Sequence, residues 1–145
     1  MLLRHLSSAD DFPEQPLPLY ASRVPAGFPS PADDYVEGKL DLNRYLINKP
    51  AATFFARAEG DSMTGVGIFS GDLLIVDRAA RPQHNSIVVA ALNGELTCKI
   101  LDVHRRRLLS ANRDYPPLAI IPGSDFAIEG VVLHSVRHHV RPGGL

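Results

Sequence analysis

The stretch SIVVAALNGELTCKIL (86–101) decides how this chain folds. Two apolar runs of strand length flank Asn93-Gly94. That dipeptide tolerates positive φ at both centres of a type I′ turn, whose twist matches a pair of antiparallel strands. Strands over 86–92 and 95–103 are therefore expected as hairpin neighbours. Working outward, TFFARAE (53–59), DLLIVD (72–77), RLLSAN (107–112) and GVVLHSVRHHV (130–140) repeat the pattern. Each is bounded by Gly, Pro, Asn or Asp, at the spacing of a mainly β, β-rich domain.

One short helix interrupts this series. DLNRYLIN (41–48) offers Asp41 as an N-cap and Leu42, Tyr45 and Leu46 at helical spacing, with Pro50 as a stop. A weaker helical signal over 33–38 is broken by Gly38. Upstream, six of the 12 prolines fall within residues 1–31. Proline excludes long helices and pushes its neighbours towards extended backbone. Scattered apolar residues there, such as Phe12, Leu17, Leu19 and Phe28, suit an extended arm that docks on a surface. The expected organisation is a proline-rich N-terminal arm over 1–40 and a β-rich domain over 41–145.

Composition narrows the function. The chain has 145 residues, 45% hydrophobic and 21% charged, with net charge -1. That balance suits a single globular domain and gives no strong basic field for nucleic acid. Direct sequence-specific DNA binding is not expected. The single cysteine, Cys98, forms no internal disulfide and builds no structural zinc site alone. Arg4, His5, Asp10 and Asp11 interrupt any secretory leader, and no run approaches a membrane span. A cytoplasmic protein without metal or cofactor is expected.

The chemistry concentrates at two places. Gly60-Asp61-Ser62-Met63 puts a serine on a turn of mobile backbone, where N–H groups can face an oxyanion. A serine in such a turn is most often only a turn residue. Lys99 lies inside an apolar strand, a place lysine avoids because burial disfavours the ammonium. There it shares a face with Thr97 and Leu101, opposite Cys98 and Ile100. A neutral lysine can take a proton from a serine. The alternative is an edge strand with Lys99 snorkelling to water. The six histidines form no recognisable serine-histidine signature. Arg105-Arg106-Arg107 reads as a solvated turn between strands. His138 and His139 read as a surface tail. Gly65, Gly67 and Gly71 lack the Gly-Lys-Ser/Thr of a phosphate loop.

Taken together, GFPSPADDYVEGKLDLNRYLI (27–47), GDSMTGVGIFSGDLLIVDR (60–78), SIVVAALNGELTCKIL (86–101), NRDYPPLAI (112–120) and IEGVVLHSVR (128–137) resemble the LexA-like autoprotease family, and within it the UmuD type. The resemblance runs from about Phe12 to His138. It implies a compact β-rich catalytic domain in which Ser62 is the nucleophile and Lys99 the general base. Backbone N–H groups at Ser62 and Met63 would hold the oxyanion, and the bond cut would be Ala26-Gly27 in the chain's own arm. It further implies a homodimer, triggering by a RecA filament on single-stranded DNA, and a UmuC-type DNA polymerase as partner in the SOS response. Residues 1–40 are too short and proline-rich for the DNA-binding helix-turn-helix of the LexA-type repressors. Asn85-Ser86 replaces a commoner Gly-Asp, and Cys98 a commoner valine. The other readings are a regulator that binds polymerase and RecA without cutting, a transcriptional repressor, and a protease acting on other proteins.

Overall fold

Asn93 and Gly94 adopt φ values of 51° and 84°, as a type I′ turn requires. They join Ile87–Leu92 to Glu95–Asp102, which pair antiparallel from Ile87↔Ile100 to Leu92↔Glu95. The expected hairpin is therefore present, and the chain is mainly β around it. The computed structural model describes residues 2–8, 13–20 and 36–140. In chain order the strands are β1 (Leu2–Ser8), β2 (Leu17–Tyr20), β3 (Val36–Leu40), β4 (Thr53–Glu59), β5 (Leu73–Asp77), β6 (Ile87–Leu92), β7 (Glu95–Asp102), β8 (Arg107–Leu109), β9 (Leu118–Ala119) and β10 (Phe126–Val136). The short helix α1 (Leu42–Leu46) follows β3.

The chain divides into two compact units. The larger joins β1 to everything from Lys49 onward. Its single eight-stranded sheet has the order β1-β4-β5-β10-β6-β7-β8-β9. At Leu2, β1 also pairs with Thr97 of β7, so the sheet curls back on itself. Strand alternation supplies two apolar clusters. Phe54, Ala56 and Ala58 of β4 point to one side with Leu74, Val76, Val89 and Cys98. Val88 and Ala90 of β6 point to the other with Leu101 and Leu108. Gly130 is where β10 crosses β5: a Cβ there would lie 2.7 Å from Val76 Cγ1.

The smaller unit contains β2, β3 and α1. β2 and β3 pair antiparallel from Leu17↔Leu40 to Tyr20↔Val36. Asp41 caps α1 as expected, its carboxylate accepting from Asn43 N–H at 3.2 Å. Ile47 ends the helix, and Pro50 opens a separate 3-10 turn, Pro50–Ala52.

Several boundaries differ from the sequence expectation. The helical signal over 33–38 gives way from Val36 onward to β3, because pairing with β2 overrides a weak local propensity. Strand 107–112 stops at Leu109, and residues 110–112 leave the sheet. The last strand starts at Phe126 and ends at Val136, ahead of the expected 130–140. Its first half, Phe126 to Val131, pairs with β6, and its second half, Val131 to Val136, pairs with β5.

Candidate active site

β4 delivers its last residue, Glu59, into Gly60, whose φ of 97° turns the chain sharply. Gly60 N–H donates to Ser70 Oγ at 3.3 Å. Next come Asp61, Ser62 and Met63, then a 3-10 turn, Thr64–Val66, closed by Gly67 at φ 81°. The Met63 side chain is fully buried in the cluster under β4, alongside Ile68. This anchors the residue after Ser62 and stabilises the turn by about 1.5–3 kcal/mol relative to an exposed side chain.

A second segment clamps this turn from the side. Residues 110–115, released from β8, run past it. Ala111 N–H donates to Ser62 O at 2.8 Å, and Gly65 N–H donates to Ala111 O at 2.7 Å. Asn112 Nδ2 donates to Asp61 O at 2.9 Å, and Tyr115 OH donates to Asp61 Oδ1. Donating to that carboxylate holds the Tyr115 phenol above its ordinary range. Gly65 admits no side chain here, since a Cβ would lie 2.5 Å from Ala111 O.

Arg137, just beyond β10, closes the far end. Its Nε and Nη2 donate to Asp72 Oδ1 and Oδ2 at 2.9 and 2.8 Å, and Nη2 also donates to Gly67 O. The guanidinium sits 4.1 Å from the centre of the Phe69 ring. Burial alone would raise the Asp72 pKa. The Arg137 hydrogen bonds, the Phe69 N–H and the Arg137 charge outweigh it, so the carboxyl lies below its usual range.

Lys99 reaches the turn from β7. Its Nζ lies 3.0 Å from Ser62 Oγ, across 37 positions of sequence. Ser62 is 1% exposed and Lys99 5%. The Tyr115 ring centre stands 5.6 Å from Nζ. Lys99 therefore does not snorkel to water; a buried amine is held against a buried hydroxyl. Neither the Ser62 nor the Met63 N–H finds a hydrogen-bond acceptor among the described residues. Such an arrangement can move a proton from serine to amine and offer amide donors to a developing oxyanion.

The other sequence candidates fall elsewhere. Ala26-Gly27 lies outside the described residues. Cys98, beside Lys99 in sequence, is on the opposite face, and burial pushes its thiol up to about 12. A thiol so raised is not a nucleophile at neutral pH. His84 and His104 pack ring to ring at 4.1 Å, with His84 Nδ1 3.6 Å from Asp102. Of the arginine run, Arg107 donates to Asp102 at 2.8 Å, and the Arg105 and Arg107 contacts hold that carboxyl below its usual range. Among the described residues no three His, Cys, Asp or Glu side chains converge as a metal site needs. No helix among them is long and apolar enough to cross a membrane.

Asn112, Tyr115 and the Asp72–Arg137 pair were not singled out from the sequence, and Gly65 was named there only as part of a run that is no phosphate loop. Only the Gly-rich run and the stretch NRDYPPLAI hinted at them. Nothing in the spacing says that residue 112 meets residue 61.

Comparison with known proteins gives a consistent pattern. Residues 18–133 match the family described as Peptidase S24-like. The chain is 51% identical over 124 residues to Protein ImpA of Salmonella typhimurium, covering 86% of this chain and 85% of that one. It is 42% identical over 125 residues to Protein MucA of Escherichia coli, covering 85% and 86%. It is 40% identical over 117 residues to LexA repressor 2 of Xanthomonas axonopodis pv. citri, covering 79% of this chain and 54% of the repressor.

Proposed function

This chain belongs to the peptidase S24-like family, and from that premise we propose that it is a UmuD-like serine peptidase that cuts its own arm between Ala26 and Gly27. The observation that carries the reading is the 3.0 Å approach of Lys99 Nζ to Ser62 Oγ, both buried.

In this mechanism Lys99 works as the neutral amine. Nζ accepts the Ser62 hydroxyl proton as Oγ bonds to the Ala26 carbonyl carbon. The carbonyl oxygen gains the negative charge, and the Ser62 and Met63 N–H groups donate to it. The tetrahedral centre collapses, the bond to Gly27 nitrogen breaks, and the Lys99 ammonium gives its proton to that amine. An ester between Ser62 and Ala26 remains. Lys99 then takes a proton from water, whose oxygen attacks the ester carbon; the bond to Oγ breaks, the Lys99 ammonium returns its proton to Oγ, and Ala26 leaves as a carboxyl group. The clamp from residues 111–115 keeps Ser62 in reach throughout, which is the proximity part of the rate gain.

The same reading assigns the setting. A RecA filament on single-stranded DNA would favour the conformation in which the arm meets Ser62, a population shift and not added chemistry. A homodimer of the shortened chain would join a UmuC-type DNA polymerase in SOS mutagenesis, and the uncut chain would restrain it.

The test is intact mass against time at neutral and alkaline pH, with Ser62→Ala in parallel. Loss of the mass of residues 1–26 from the unsubstituted chain alone supports the dyad and the bond together. A chain that stays whole even with RecA filaments and nucleotide sinks the peptidase reading in favour of a binding-only regulator.

A further inference from the structure

The strands on either side of the proposed cut are interleaved. β1 and β2 precede Ala26-Gly27, and every strand they pair with follows it. β1 lies antiparallel on β4, from Leu2↔Glu59 to Ser8↔Phe54, and touches Thr97 of β7. β2 lies antiparallel on β3, from Leu17↔Leu40 to Tyr20↔Val36. Glu14 and Arg44, 3.2 Å apart, form an exposed ion pair across the same divide, which contributes little by itself.

We infer that residues 1–26 stay bound to residues 27–145 after the cut, as a non-covalent ligand held by two strands. The inference rests on Ala26-Gly27 being the bond cut. Strand pairing is made by backbone groups and does not need the connection over 21–35 to be intact. Cutting there nicks a hairpin between β2 and β3 and leaves both of its strands in place. Loss of the fragment would strip β4 of a neighbour and expose its row of N–H and C=O groups. The two attachments lie on one short peptide, so release of one leaves the other holding it near its site. The cut and the loss of the arm are thus separate events. The first product is a nicked protein heavier than the uncut chain by one water, and the shortened form appears only when the fragment departs, a step that dilution favours.

The experiment separates this from self-cleavage. The full chain carries Ser62→Ala and a site-specific protease sequence inserted between Ala26 and Gly27. The added protease nicks it, and native size exclusion with mass detection follows. The expected result is co-elution of both pieces. Arg4→Pro with Leu19→Pro removes donors from β1 and β2, and should speed loss of the fragment by about tenfold or more. A fragment that elutes alone from the unsubstituted nicked chain overturns the inference, as does equal retention in the double-proline chain. If the double-proline chain does not fold, hydrogen exchange over 36–40 and 53–59 decides. Protection unchanged by the nick supports retention, and lost protection overturns it. Because Ser62 is absent, failure here leaves the peptidase reading untouched, and a chain that never cuts itself leaves this result standing.

Discussion

Lys99 Nζ and Ser62 Oγ stand 3.0 Å apart with both side chains buried, although 37 positions of sequence separate them. In the proposed mechanism the base must be neutral to accept a proton, which makes the rate rise with pH. Self-cleavage should increase steadily from neutral to alkaline pH until the fold itself fails. Ser62→Ala and Lys99→Ala should each lower it by about 100-fold or more, while far-UV circular dichroism stays unchanged. Lys99→Met should be inactive yet unfold no earlier than the parent, since an apolar side chain of similar length suits a buried site.

The clamp on the turn that carries Ser62 should matter more to the rate of the proposed cleavage than to stability. Asn112→Ala and Tyr115→Phe each remove one hydrogen bond to Asp61. Each should cost only about 0.5–1.5 kcal/mol in denaturant unfolding and slow cleavage by about tenfold through a misplaced Ser62. The double variant should be non-additive, because both bonds hold one residue. Gly65→Ala drives a methyl to 2.5 Å from Ala111 O and should be the most damaging of the three. Unfolding curves beside cleavage time courses separate the two effects.

Asp72 sets an acid limit. Its folded pKa is depressed, so it contributes stability above the unfolded value and loses it as pH falls through the folded one. Arg137→Met removes the partner that outweighs burial, and the same carboxyl then protonates at higher pH. The acid-unfolding midpoint of Arg137→Met should therefore move upward relative to the parent, with little difference near neutrality beyond the lost ion pair. A pH titration of intrinsic tyrosine fluorescence measures it. An unmoved midpoint would mean that this pair does not govern acid stability.

Cys98 should resist alkylation. With its thiol at about 12 and its side chain fully buried, reaction with iodoacetamide at pH 8 should proceed only as fast as the protein unfolds. Mass spectrometry with and without denaturant checks this, and rapid labelling of the native protein would contradict it.

Local rules reached far into this fold because they were consistent with each other. Asn93-Gly94 set its own hairpin and the register of β6 and β7, and Asp41 capped its own helix turn. Alternation along 96–101 placed Lys99 opposite Cys98, which the two apolar clusters reproduce. These are short-range effects of steric allowance and strand period, so residues a few positions apart suffice to determine them. The pairings of β1 with β4 and of β2 with β3 were not legible, since extended proline-rich segments carry no register of their own. Nor was the site's support. Asp61 and Asn112, or Asp72 and Arg137, meet only because the sheet brings distant segments together. The sequence by itself thus determined β4 to β8 and β10, the turn that carries Ser62 and the apolar strand that carries Lys99. The tertiary structure decided that the hydroxyl and the amine are buried at hydrogen-bond distance. Chain curvature, strand order and a clamp from residues 111–115 produce that approach, and none of these is encoded in any local window.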